Sequence, residues 1–134
     1  MMHTVSLEKT YFAAIQQLME LFSNGVVFKL TGADEISLDF IEGGSFNLKF
    51  NGRGVIFGTI MEISAHKVEL CWNVEGFGLP VENDTKVVFN CIPLSETTRL
   101  VLLHQNIKTV VAARAKEKAW KEILEDMESH LNNS

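Results

Sequence analysis

The stretch from Ala112 to Asn132 (AARAKEKAWKEILEDMESHLN) constrains the fold more than any other part of the chain. Ala115, Ala119, Trp120, Ile123, Leu124, Met127 and Leu131 recur at steps of three, four and one, the apolar stripe of an amphipathic helix. Lys116, Glu117, Lys118, Lys121, Glu122, Glu125 and Glu128 fill the opposite face, which is expected to stay in solvent. At 1.5 Å per residue such a helix spans about 30 Å, enough to lie across a whole sheet. The stripe needs a surface to cover, and the residues before it must supply that surface.

Those residues read largely as strands. Ile36 to Ile41 and Ser45 to Phe50 alternate apolar with polar, and Val55 to Ile63 is β-prone. Val68, Leu70 and Trp72 alternate with Glu69, Cys71 and Asn73. Thr85 to Ile92 and Thr98 to Gln105 complete the set. Asn51-Gly52 is a hairpin signal. Gly43-Gly44 suggests a bulge or sharp bend, and Gly58 a kink or a close packing point. Glu75 to Asp84 (EGFGLPVEND) reads as a loop and Val26 to Leu30 as a short β-prone run. Ser6 to Ser23 reads as a first helix, capped by Ser6, with Phe12, Ile15, Leu18, Met19 and Phe22 as its stripe and Asn24-Gly25 as its stop. Met1 to Val5 is a short strand or a loose end. The expected order is a helix, at least five antiparallel strands in a meander, then the long helix.

Strands with a helix at each end predict an α+β fold, one curved antiparallel sheet wrapped on the terminal helix. A length of 134 residues fits a single domain over 1–134 and suffices to bury about two-thirds of the unfolded surface. A net charge of −5 argues against general nucleic-acid binding and against adhesion to an anionic membrane. No apolar run approaches the roughly 20 residues of a membrane span, and no secretory signal is seen, so a cytoplasmic protein is expected. Cys71 and Cys91 then read as two buried thiols rather than a disulfide.

Several segments in order resemble a known family. They are Gly43-Gly44-Ser45-Phe46, Gly58-Thr59-Ile60-Met61-Glu62-Ile63, Val68-Glu69-Leu70-Cys71-Trp72, Val87-Val88-Phe89, Thr98-Arg99-Leu100-Val101-Leu102-Leu103-His104, and Ala119-Trp120 with Leu131. The pattern, over Ile36 to Leu131, resembles the family homologous to the activator of the heat-shock protein 90 ATPase, within the START-like (SRPBCC), birch-pollen-allergen-like helix-grip superfamily. The resemblance implies a helix-grip fold with room for a ligand between sheet and helix. It also implies contact with a heat-shock protein 90 chaperone as an alternative role. The departures are at the N-terminal end. Met1 to Val5 is short for the family's first strand, and Ala119 stands where the family has Gly before Trp120. A missing first strand would leave an exposed edge and favour a homodimer.

Residues facing such a cavity by alternation or stripe are Phe46, Phe50, Phe57, Trp72, Phe89, His104, Trp120, Ile123, Leu124 and Met127. His104 follows Leu100 and Leu102 inward. It reads first as a core-edge histidine satisfied by a backbone carbonyl, and second as a ligand-binding group or general base. Trp72 and Trp120 read as core, with ligand stacking as the second reading. His66, His104 and His130 are too scattered for a metal site, and no cofactor is expected. Asp39, Glu62, Glu69 and Asp84 form no acid/base pair visible in the sequence, and no nucleophile motif or phosphate loop occurs. The expectation is a non-enzymatic binder of a small hydrophobic or amphipathic ligand, with chaperone contact second and a cyclase- or hydratase-type enzyme third.

Overall fold

A computed structural model describes residues 1–132 of the chain. Seven strands form one antiparallel sheet: β1 (His3–Tyr11), β2 (Glu35–Leu38), β3 (Ser45–Phe50), β4 (Gly54–Ile63), β5 (Lys67–Gly76), β6 (Leu79–Pro93) and β7 (Thr98–Ile107). Two short helices, α1 (Ile15–Ser23) and α2 (Val26–Lys29), link β1 to β2, and the long α3 (Val110–Asn132) closes the chain. The sheet order is β1-β7-β6-β5-β4-β3-β2, so the first strand lies against the last. One face of the sheet packs on the helices. This is the α+β helix-grip arrangement expected, with one face of each strand covered.

The N-terminal third differs most from expectation. His3–Tyr11 is a strand, not the front of a helix, and Ser6 caps nothing. Its pattern has period two: Val5 and Tyr11 are buried while Thr4, Ser6, Glu8 and Thr10 are exposed. Pairing of β1 with β7 from Tyr11↔Thr98 to His3↔Ile107 decides the outcome, because a strand edge is waiting for it. A first strand is therefore present where the sequence suggested it was missing, and it covers β7, leaving β1 and β2 as the outer strands of the sheet. Helix α1 begins only at Ile15, where Gln17 Oε1 accepts the Ala14 N–H at 2.9 Å. Phe12, placed in the helical stripe by its spacing, is 86% exposed.

Val26–Lys29 is a helical turn rather than a strand. Gly25 takes φ +76° between α1 and α2, a left-handed conformation that turns the chain without a Cβ penalty. The segment read as a loop, Glu75 to Asp84, is mostly hairpin: β5 runs to Gly76, Phe77 and Gly78 turn at φ 61° and 70°, and β6 starts at Leu79. The double glycine lies in the β2–β3 connection, not inside a strand. Gly58 is a close packing point. A Cβ there would fall 1.8 Å from the Cys71 carbonyl oxygen and 2.9 Å from the Phe46 ring.

Helix α3 starts with the Thr109 hydroxyl accepting the Ala112 N–H at 3.1 Å. It buries Ala112, Lys116, Trp120, Ile123, Leu124 and Met127. Ala115 and Ala119, expected in the packed stripe, are exposed, and Lys116, expected in solvent, is buried. The charge is tolerated because the Lys116 ammonium meets Glu82 of β6 at 2.6 Å. Tyr11 ties β1 to the other end of α3, its phenol donating to the Leu124 carbonyl at 2.7 Å. Both cysteines are free. Cys91 is buried as expected, whereas Cys71 is only half-buried, on the face of the sheet turned from α3.

Candidate functional site

The inner face of β5, β6 and β7 meets α3 around two tryptophans. Trp72 of β5 and Trp120 of α3 lie with ring centroids 5.2 Å apart, and Phe89 of β6 stands edge-on to Trp120 at 5.6 Å. The run continues from Trp72 to Phe46 at 5.5 Å and from Phe46 to Phe28 of α2 at 5.6 Å. Phe22 of α1 closes on Phe89 at 4.8 Å. These rings are buried and in contact, so this part of the interior is packed core.

A buried polar chain runs beside the rings. The Trp120 ring N–H donates to His104 Nδ1 at 3.0 Å. That nitrogen is therefore the acceptor, and the imidazole hydrogen sits on Nε2, 2.8 Å from the Thr85 hydroxyl. Thr85 donates in turn to the Trp72 carbonyl. Both ring nitrogens of His104 are thus satisfied by side chains, not by the backbone carbonyl expected. Burial, reinforced by the nearby charge of Lys116, lowers the His104 pKa from 6.5 to about 3. The ring is neutral, 0% exposed, and occupied on both sides.

Toward the β5–β6 hairpin the packing opens. A pocket of about 250 Å³ lies between the sheet and the first turns of α3. Phe50, Ile56, Trp72, Val74, Phe77 and Leu79 form its sheet side, and Ala115, Lys116, Ala119, Trp120 and Ile123 its helix side. Thr31 and Arg53 stand at its edge. The opening follows from the sequence: Ala115 and Ala119 present small side chains where a larger residue would reach the sheet. Lys116 is held to one side by Glu82, whose other oxygen accepts the Lys108 N–H at 3.1 Å. Arg53 lies over the Phe50 ring, its Cζ 5.4 Å from the centroid. A volume near 250 Å³ sits just below the roughly 300 Å³ at which typical ligand pockets begin. A wider groove of about 620 Å³ between α1 and the β4–β5 turn, lined by Ile15, Met19, Phe40 and Ile63, is outside the grip and carries no tryptophan.

Of the residues expected to face a cavity, Phe50, Trp72, Trp120 and Ile123 line this pocket. Phe46, Phe89, Leu124 and Met127 are buried in the core instead. His104 is sealed within its hydrogen bonds. Phe57 pairs with Asn47 and Asn73, which puts it on the opposite face of the sheet, because Phe46, Leu48 and Phe50 take the inner one. Phe77 and Leu79 were hidden by the reading of Glu75 to Asp84 as a loop, and Val74 lies just before it. The alternation of Val68, Leu70 and Trp72 carried one step further reaches Val74. Arg53 and Lys116 carry no periodic signal that separates them from surface cations.

At the level of sequence, no family model matches the chain and no curated protein does. Solved structures match closely in fold. A protein from Mesorhizobium loti superposes with a TM-score of 0.86 at 16% identity, covering 98% of each chain. An HSP90 activator from Plasmodium falciparum gives 0.75 at 24% identity, covering 96% of each. The Aha1 dimer from Colwellia psychrerythraea gives 0.76 at 19% identity, again covering 96% of each. At these identities the likeness is one of fold, the helix-grip architecture shared along nearly the whole of each chain.

Proposed function

We propose that this chain is a non-catalytic cytoplasmic protein that binds one small hydrophobic or amphipathic molecule in the pocket between the sheet and α3. The observation that carries the reading is the pocket itself. It is concave, walled by Trp72, Trp120, Phe50 and Phe77, and placed where the helix-grip fold leaves space. Aromatic walls suit a flat apolar body, which gains both burial and ring contact. The pocket's small volume limits the ligand to about the size of a fused pair of rings. The engagement of His104 and Thr85 in one internal hydrogen-bond chain favours binding over catalysis, because neither is left to move a proton to a ligand.

Native mass spectrometry of the protein as purified tests the reading. A retained adduct is expected, and it should vanish in Ala119→Leu, whose added carbons fill the pocket from the helix side without changing helix propensity much. An adduct that persists in that variant would place binding elsewhere. The alternative role, chaperone contact, draws on the HSP90 activator and the Aha1 dimer that share the fold. It predicts stimulation of a chaperone ATPase by the isolated chain, and a flat rate on addition of the protein removes it.

A further inference from the structure

The polar side chains lining the pocket are Thr31, Arg53, Trp72, Lys116 and Trp120, and their hydrogen-bonding capacity is unevenly spent. The Thr31 hydroxyl donates to the Phe28 carbonyl at 2.6 Å, and the Trp120 N–H is taken by His104. The Trp72 ring N–H makes no hydrogen bond among the described residues and is not sealed from solvent, since the buried side-chain polar atom without a partner is Asn47 Oδ1. Lys116 carries three N–H groups, of which Glu82 Oε1 takes one. Arg53 forms no ion pair among the described residues and has only the Phe50 ring beneath it. Glu82, the partner of Lys116, has both oxygens engaged, by Lys116 and by the Lys108 N–H. What the side chains leave unmet around the pocket is therefore all donor, with one cation uncompensated, in a protein of net charge −5.

We infer that the ligand of this pocket is an aromatic or short-chain carboxylate, its apolar body between Trp72 and Trp120 and its anionic head on the unmet donors of Arg53, Trp72 and Lys116. This rests on the binding role proposed above and specifies its chemistry. A neutral hydrocarbon would leave the Trp72 N–H without an acceptor, and a cation would meet Arg53 and Lys116 as like charges. A carboxylate supplies acceptors to each and matches the planar guanidinium in two-point fashion.

The test uses two probes of nearly equal shape, 2-naphthoate and the neutral 2-acetonaphthone, titrated into the full chain while the two indole N–H resonances are followed by NMR. Naphthoate is expected to bind roughly tenfold more tightly than the ketone, the size of one charge-assisted hydrogen bond. Arg53→Gln should remove most of that preference, lowering naphthoate affinity far more than ketone affinity. Trp72→Phe keeps the ring and removes the donor, and should lower naphthoate affinity more than ketone affinity. Equal binding of both probes, insensitive to Arg53→Gln, overturns the carboxylate assignment while the pocket stands. Failure of both probes to shift either indole at millimolar concentration overturns the binding role itself.

Discussion

Trp120 and His104 are held as donor and acceptor at 3.0 Å, across the interface where α3 meets β7. The bond does two things at once. It sets the imidazole tautomer, and it makes the largest side chain of the terminal helix directional as well as apolar. Trp120→Phe should therefore cost more than lost area alone, because it strands the buried Nδ1 acceptor. About 1–3 kcal/mol is expected from that loss. Trp120→Ala adds a cavity and should cost about 3–5 kcal/mol, read from urea unfolding midpoints.

The same pair predicts a pH dependence. His104 in the folded state holds its proton only below about 3, whereas the unfolded chain takes it up near 6.5. Between those values the unfolded state binds more protons, so stability rises with pH in that window and levels off above 6.5. Thermal unfolding of the wild type should fall from pH 7 to pH 4.5 more steeply than that of His104→Gln, which removes this titration. Parallel curves would show that other groups carry the dependence.

Lys116 and Glu82 form a buried ion pair at 2.6 Å. Lys116→Met leaves the Glu82 carboxylate buried without its cation and should destabilise by about 3–5 kcal/mol. Lys116→Met combined with Glu82→Leu removes both charges and should recover part of that loss. A double-mutant cycle in guanidinium measures the coupling; strictly additive costs would show that the pair contributes nothing through mutual attraction.

The cysteines give a simple accessibility check. Burial pushes the Cys91 thiol up to about 12, and Cys71 is raised as well, by partial burial and by the charge of Asp84. Cys71 lies half-buried on the uncovered face and Cys91 is buried. A thiol-reactive dye at pH 8 should label Cys71 slowly and Cys91 only on unfolding. Prompt labelling of Cys91 would indicate an open β6.

Gly58→Ala should be among the costliest single changes, since its Cβ would meet the Cys71 carbonyl oxygen and the Phe46 ring at once. A variant that keeps its unfolding temperature would mean that β4 and β5 can separate locally without harm.

The sheet and the terminal helix were readable because each repeats one period over many residues. Ser45 to Phe50 and Val68 to Trp72 show period two, and Trp120 to Met127 shows the helical stripe. The N-terminal third was misread for a physical reason. Val5, Leu7 and Tyr11 alternate, but Phe12, Ile15, Leu18, Met19 and Phe22 run on as a helical stripe, and the strand is decided by β7, a partner about ninety residues away whose free edge no local window reveals. The pocket was half legible. Its aromatic wall followed from alternation at Phe50 and Trp72, while Lys116 read as a solvent residue because its partner, Glu82, sits in a segment read as a loop. Phe57 was assigned inward by alternation, but the register that pairs it with Asn47 and Asn73 turns that alternating set to the outer face. His104 was correctly turned inward, but side chains rather than the main chain satisfy it, and pairing of that kind leaves no trace in spacing.

The phenylalanines of α1 and α2 have a consequence for how this scaffold can change. Phe22 and Phe28 occupy the centre of the grip, yet both belong to the connection between β1 and β2, not to the sheet or to α3. The frame and the filling are thus encoded in separate stretches of chain. Trimming Phe28 to a smaller side chain would free space against Phe46, the ring that backs Trp72 at the pocket wall, and Phe28 itself belongs to no strand pairing. Under the binding role proposed above, selectivity among ligands of different length can drift through one short insert, at a fixed architecture of strands and terminal helix.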